Sequence, residues 1–162
     1  MDVKLEKLNL HHAEISYVWR NNPKIWEYTV NRPDIFITLK SERKWLRKVL
    51  SNSNEERFAI TVKGKYIGNS YLTNIHDRSG TFHIFIGETD YWGKGIAKKA
   101  TILLLKFAFV KLTLKKVNLR VRKNHSRAIG LYHKLGFKEV SRDQELIWME
   151  ISKRKFNEEL SK

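Results

Sequence analysis

The hydrophobic period of the chain changes midway, and that change restricts the fold more than any other feature. Between Phe58 and Gly87 the apolar residues come in runs suited to strands: Phe58 to Val62, Tyr66 to Asn74 and Thr81 to Gly87. The gaps between them, Lys63-Gly64 and Asp77-Arg78-Ser79-Gly80, have turn composition, which predicts three consecutive antiparallel strands. From Ile96 to Lys111 the period becomes helical, with Ala100, Leu103, Leu104, Phe107 and Ala108 facing inward. A strand over Val117 to Arg122, a helix over Ser126 to Leu135 and two short strands, Lys138 to Arg142 and Glu145 to Ile151, then finish the chain. Gly136 stands where a left-handed cap would stop the second of these helices, with Phe137 folding back behind it. This order predicts an α/β or mixed α+β domain with helices on a central sheet.

The first third reads as helical. Asn9 can cap a helix through about Arg20, with Ile15, Val18 and Trp19 as its apolar stripe. Asn22-Pro23 restarts the chain, because proline suits a first helical position. Thr38 caps a further helix in which Trp45, Leu46, Val49 and Leu50 share a face. No repeat, linker or low-complexity tract interrupts the 162 residues, so residues 1–162 are expected to form a single domain.

Composition narrows the chemistry. With no cysteine, disulfides, thiol catalysis and cysteine-ligated metal are excluded, and a reducing cytoplasm fits. The opening MDVKLEKLNL lacks the apolar core of a signal peptide. Ile102 to Val110, broken by Lys106, is too short to span a bilayer, so no membrane role is expected. The formal charge of +15 admits a nucleic acid, an anionic membrane face, a polyanionic small ligand or simply a solvated basic surface. His11, His12 and His133 lack metal-ligand spacing, and no metal is expected. Trp19, Trp26, Trp45 and Trp148 are core residues by default, the alternative being that one or two line a substrate pocket. Lys153-Arg-Lys155 reads as a solvated end.

The sharpest local feature is Tyr91-Trp92-Gly93-Lys94-Gly95-Ile96-Ala97-Lys98-Lys99, between a strand and a helix. Glycines there let successive N–H groups point into one concavity, and the helix adds its unpaired N–H groups and the positive end of its dipole. Lys94, Lys98 and Lys99 add charge to this anion cradle. It matches neither the P-loop nor the dinucleotide fingerprint, since Lys98 stands where the third glycine of the latter would be.

About thirty residues later comes Asn124-His-Ser-Arg-Ala128-Ile-Gly-Leu131-Tyr132-His-Lys-Leu135-Gly136-Phe137. With this second segment the chain resembles the GCN5-related N-acetyltransferase (GNAT) superfamily. Trp92-Gly-Lys-Gly95-Ile-Ala97 follows its phosphate-binding signature, [Q/R]-x-x-G-x-[G/A], and the second segment follows the ending of its next βα unit. Trp19-Arg-Asn-Asn-Pro23 and Trp45 are similar to the branch with ribosomal-protein N-terminal, spermidine and nucleotide-aminosugar acetyltransferases. The resemblance implies a central mixed sheet of six to seven strands flanked by about four helices, acting as a monomer or homodimer.

It also implies acetyl-CoA as the acetyl donor. The pantetheine arm would lie along Phe85, Ile86 and Gly87, with the Ile86 N–H polarising the thioester carbonyl. The pyrophosphate would sit on the backbone from Gly93 through Lys94, Gly95, Ile96 and Ala97 to Lys98. Tyr132 matches the tyrosine read as the acid for the departing thiolate; a phenol near pKa 10 suits a thiol near 8.5. Trp92 replaces the usual Gln or Arg, and the usual asparagine position holds His125, with Asn124 one residue earlier; either can make that cofactor contact.

The general base is less well marked. Thr81 occupies the place of a carboxylate that some members use. His83 matches a histidine of arylalkylamine acetyltransferases and would titrate in a suitable range; its other reading is a strand histidine packed beside Phe85. Glu88 is read as ordering the loop, and a water chain to bulk would also serve.

The leading expectation is therefore direct attack of a primary amine on the thioester, without a covalent enzyme intermediate. The acceptor is expected to be an aminosugar nucleotide or another small amine. The alternative is a protein N-terminus presented near the ribosome, while the +15 charge disfavours a polyamine. A basic nucleic-acid-binding module rests on charge alone, without the interleaved aromatic and basic residues such a surface needs. A catalytically inactive CoA sensor is a third class, against which the retained Tyr132 argues.

Overall fold

The structure is a computed structural model describing residues 1–27, 29 and 34–162. In chain order its elements are β1 (Val3–Lys7), α1 (Ala13–Trp19), α2 (Pro23–Trp26), α3 (Leu39–Leu50), β2 (Glu56–Val62), β3 (Lys65–His76), β4 (Ser79–Ile86), α4 (Ile96–Lys106), β5 (Lys116–Arg122), α5 (Ser126–Leu135), β6 (Lys138–Arg142), β7 (Leu146–Ser152) and α6 (Lys153–Leu160). The seven strands form one sheet in the order β1-β2-β3-β4-β5-β7-β6. All neighbours are antiparallel except β4 and β5.

Local signals held where one residue decides the backbone. Lys63 and Gly64 both have positive φ, the geometry of a tight hairpin turn. Asp77 and Arg78 make a turn of the same hand without glycine, so Ser79 and Gly80 belong to β4 rather than to the turn. Thr38 caps α3, accepting from the Ser41 N–H. Gly136, at φ 107°, ends α5: its N–H bonds His133 O and that of Phe137 bonds Tyr132 O.

Helices cover both faces of the sheet. Alternation along β4 sends Phe82 into a core with α4, α5 and α6, and Phe85 into a smaller one with Trp19, Tyr66 and Leu46. Four expectations are corrected here. The first third is not wholly helical, because β1 pairs Val3 with Val62 and Leu5 with Ile60. In α1 a preceding 3₁₀ turn, Leu10–His12, sets the register so that Ala13, Ser16 and Trp19 are buried, while Ile15 and Val18 are exposed. In α3, Glu42 joins Leu46 and Val49 inside, and Trp45 and Leu50 stay partly exposed. After α4 the helix widens into a π turn, Phe107–Lys111, whose longer repeat buries Phe109 and leaves Phe107 partly exposed.

Finally, Lys153-Arg-Lys155 is exposed, as expected of a solvated stretch, but it opens a helix rather than trailing off. Ser152 caps α6 there, and Phe156 is buried against Phe109, ring centres 5.4 Å apart. The described residues thus hold six α-helices rather than four.

Candidate active site in the fork between two parallel strands

β4 and β5 pair only from Ser79↔Lys116 to Thr81↔Asn118. Beyond that β5 continues beside β7 as far as Arg122, so the outer edge of β4 from Phe82 to Ile86 has no strand beside it. At the end of this edge the N–H groups of Gly87 and Glu88 both donate to Ile67 O, at 2.8 and 3.1 Å, a bulge in the ladder. Antiparallel alternation then turns the N–H and C=O of Ile86 away from β3 and into the fork. The Ile86 C=O accepts from the Trp92 indole N–H at 2.9 Å, which ties the glycine loop to the strand.

Gly87 carries no side chain because Trp19 fills its space: an added Cβ would lie 2.0 Å from the indole. Trp19 is buried, meets Phe85 edge-on and donates to Glu88 at 3.2 Å. Glu88 therefore orders the loop, as its position suggested.

At the mouth of the fork Gly93 and Gly95 have φ near +77° and +78°. Gly95 starts α4 without a side-chain cap, and no acidic residue occupies the first turn. The N–H groups of Ile96, Ala97 and Lys98 are thus first-turn donors, although the Ile96 side chain is core. Lys94 lies over the Tyr91 ring and Lys98 is exposed. Lys99 instead donates to Met1 O at 3.2 Å, which removes it from the cradle it was expected to serve.

One group was not legible as part of this loop. Arg127, in the first turn of α5, lays its guanidinium over Gly93, with Nη2 3.1 Å from where a Cβ would stand. Nothing in the sequence distinguishes Arg127 from the other basic residues; only the meeting of α4 and α5 reveals it. His125 is half-buried at the start of α5, and burial, with Arg127 beside it, lowers its pKa. Asn124 is exposed.

Tyr132 lies in the large core, edge-on to Phe82 and Phe137. Burial raises its phenol well above the ordinary value, so it remains protonated, a donor. His83 faces the opposite side of β4. It stacks on Tyr71 at 4.6 Å with rings 8° apart, and its Nε2 is 2.8 Å from Thr73 Oγ1. Arg57 covers the other face of Tyr71 at 4.2 Å, and Trp45 lies between Arg57 and Arg20. Burial first, then Arg57 and Arg120, lower the His83 pKa to about 4. The expectation of a histidine titrating near neutrality is corrected accordingly: His83 is an uncharged, weak base.

Among the described residues no set of three His, Cys, Asp or Glu converges where a metal ion could sit, and no helix is long and apolar enough to cross a membrane.

An open strand edge ending in a bulge, next to an uncapped glycine-led helix, is the arrangement the family resemblance called for. The family profile described as acetyltransferase (GNAT) domain matches residues 2–138. The chain belongs to the GNAT acetyltransferase family. It is 31% identical over 138 residues to spermidine N(1)-acetyltransferase of Escherichia coli K12, covering 83% of this chain and 72% of that one. A prophage-derived N-acetyltransferase of Bacillus subtilis is 27% identical over 107 residues, 65% of this chain and 60% of its own. Among solved structures, spermidine N-acetyltransferase from Vibrio cholerae in complex with CoA and spermine superposes with a TM-score of 0.86 at 25% identity, covering 96% of this chain and 98% of that one. GNAT enzymes use acetyl-CoA as acetyl donor, and this acetyltransferase has the mixed α/β fold of the family.

Proposed function

We propose that the chain moves the acetyl group of acetyl-CoA to a small primary amine by direct attack in the β4/β5 fork. The observation that carries this reading is the free edge of β4 from Phe82 to Ile86, which offers backbone groups to a ligand in place of a strand. The N–H of Ile86 polarises the thioester carbonyl, and Phe85 and Gly87 hold the backbone on either side of it. The first turn of α4 and the loop from Gly93 through Lys94 and Gly95 to Lys98 receive the pyrophosphate. Tyr132 gives its proton to the departing thiolate. Of the two α5-start residues, His125 is the half-buried one and the better placed to meet the cofactor.

The relatives' names shift the acceptor. Those from Escherichia coli and Vibrio cholerae are spermidine acetyltransferases, which supports a polyamine ahead of the aminosugar nucleotide that sequence alone favoured. A second reading, an amine linked to an anionic group, is supported by the two guanidinium groups of Arg57 and Arg120 near His83. A thiol-release assay with acetyl-CoA and a panel of spermidine, an aminosugar nucleotide and N-terminal peptides separates these acceptors. Release with none of them overturns the proposal.

Two outcomes concern the donor. Acetyl-CoA at a hundred times its Kd should add about 2.7 kcal/mol to stability and raise Tm by about 5–10 °C. Absence of a shift at millimolar ligand would contradict CoA binding. Arg127→Ala should weaken CoA about tenfold, a loss of roughly 1.4 kcal/mol. Because Arg127 lies over Gly93, dephospho-CoA should weaken by the same factor; a loss confined to CoA itself would place Arg127 on the 3′-phosphate instead.

A further inference from the structure

The fork widens away from the last paired residues of β4 and β5, and one short stretch of chain crosses it. Thr81 Oγ1 donates to Asn118 Oδ1 at 2.8 Å where the strands still pair, so these two side chains share a face of the sheet. Alternation puts His83 and Phe85 of β4 on that face, together with Arg120 and Arg122 of β5. Phe85 and Arg122 therefore flank the wide end of the fork from opposite sides. The chain that follows α1 meets both. Ile25 and Trp26 of α2 pack into the smaller core with Trp19 and Phe85. Just beyond α2, the Thr29 C=O accepts from Arg122 Nε at 2.7 Å.

We propose that Arg122 is a positioning residue for the acceptor: it straps the α2 turn across the fork, and that turn walls the opening through which the amine reaches the thioester. This rests on the acetyltransferase reading above and deepens it. The other face of the sheet is filled by the large core of Phe82, Tyr132 and the helices packed on them, so an amine approaches Ile86 over the face of His83 and Phe85. To react, its nitrogen must be held about 3–3.5 Å from the carbonyl carbon, which requires a fixed wall. Arg122 takes no part in the chemistry itself.

The strap acts on a turn that is rigid in itself. The Thr29 N–H and Oγ1 both donate to Trp26 O, at 3.2 and 3.1 Å, so a bond to the Thr29 carbonyl also fixes the end of α2. A guanidinium donating to a carbonyl makes a charge-assisted hydrogen bond, the stronger kind. The near end of the crossing is pinned by Asn21, whose side chain donates to Tyr17 O at 2.9 Å and Ile37 O at 2.7 Å and accepts from the Ile37 N–H at 2.7 Å. Asn22 then caps α2, accepting from the Lys24 N–H at 3.1 Å. The Trp19-Arg-Asn-Asn-Pro23 motif thus sets the α1 end of the crossing, and Arg122 sets its far end. The ion pair of Arg122 with Glu145, at 3.9 Å, involves an exposed carboxylate and carries little.

Arg122→Met keeps the apolar stem and removes the donor. The KM for spermidine should then rise about tenfold while the Kd for CoA changes less than about twofold, because the turn walls the acceptor and not the nucleotide. The sign separates a strap from a simple charge effect: loss of a cation alone would lower the KM of a cationic acceptor. Arg122→Lys places its ammonium one atom beyond the position of Nε, can still donate to Thr29 O, and should restore most of the KM. Amide exchange of the Thr29 N–H, read by NMR, should quicken about tenfold in Arg122→Met and stay at the parent rate in Glu145→Gln. Unchanged exchange in Arg122→Met overturns the strap. Faster exchange with an unchanged or lowered KM, or with a CoA affinity that falls in step with KM, overturns its role in placing the acceptor. A lower Tm and kcat at unchanged KM marks a purely structural arginine and overturns that role as well. All of these outcomes leave acetyl transfer standing, whereas absence of thiol release by the parent enzyme with any amine would overturn the underlying reading.

Discussion

Tyr132→Phe is expected to lower kcat about a hundredfold while changing CoA affinity less than twofold. The substitution removes one oxygen and keeps the ring, so the edge contacts with Phe82 and Phe137 survive and the fold should be retained. What is lost is the proton donor. A thiolate leaving without protonation meets a higher barrier, and proton donation of this kind commonly contributes two to four orders of magnitude. Burial sharpens the expectation: the phenol is held above its ordinary pKa, so it stays protonated across the neutral range and gives no limb of its own there. The kcat–pH profile of Tyr132→Phe should therefore keep its shape and drop in height. Single-turnover rates with saturating acetyl-CoA, compared with CoA dissociation constants from calorimetry, check both parts. An unchanged rate would assign Tyr132 to packing alone.

The parts of this molecule that could be read from the sequence are those decided within a few residues. Thr38 needs only Ser41 to cap α3, and Gly136 needs only the preceding turn of α5 to adopt its left-handed conformation. The same holds for the glycine loop, whose anion-binding character lies in consecutive backbone groups. β1 was missed because its partner is far along the chain, with Val3 opposite Val62, and because Val3 and Leu5 supply its whole apolar signal. α6 was missed because one residue, Phe156, carries its burial among charged neighbours. The acceptor side was illegible for a related reason. Arg57, Arg120 and Arg127 are three of 32 basic residues, and only tertiary packing places them over Tyr71, near His83 and over Gly93. The weak basicity of His83 follows first from its burial and then from Arg57 and Arg120, all set by tertiary packing, so its sequence context could suggest only an ordinary histidine.

Gly87→Ala should be strongly destabilising. Its Cβ would lie 2.0 Å from Trp19 Cδ2 and 2.4 Å from Cγ and Cε2, distances no side chain adopts. Relief requires movement of either the indole or the strand. Trp19 is held by Tyr66 at 4.6 Å, by Phe85 and by its hydrogen bond to Glu88, so the indole cannot swing aside without dismantling the smaller core. Overpacking of this kind costs about 3 kcal/mol, which in a chain of this size lowers Tm by about 6–12 °C. Gly130→Ala is the matched control. That glycine sits inside α5 with nothing within 4 Å of an added Cβ, so the substitution should stabilise the protein by about 0.5–1 kcal/mol. The damage at Gly87 also reaches the chemistry. If the strand yields instead of the indole, the bulge that bonds Gly87 and Glu88 to Ile67 O shifts, and with it the adjacent Ile86 N–H aimed into the fork. Below its melting range, Gly87→Ala should therefore show reduced kcat with acetyl-CoA bound. Adding Trp19→Leu, which vacates the space, should recover part of the stability. Urea titrations of the two single variants and the double variant measure that coupling, and additive effects would show that the Trp19 contact is not what excludes a side chain at position 87.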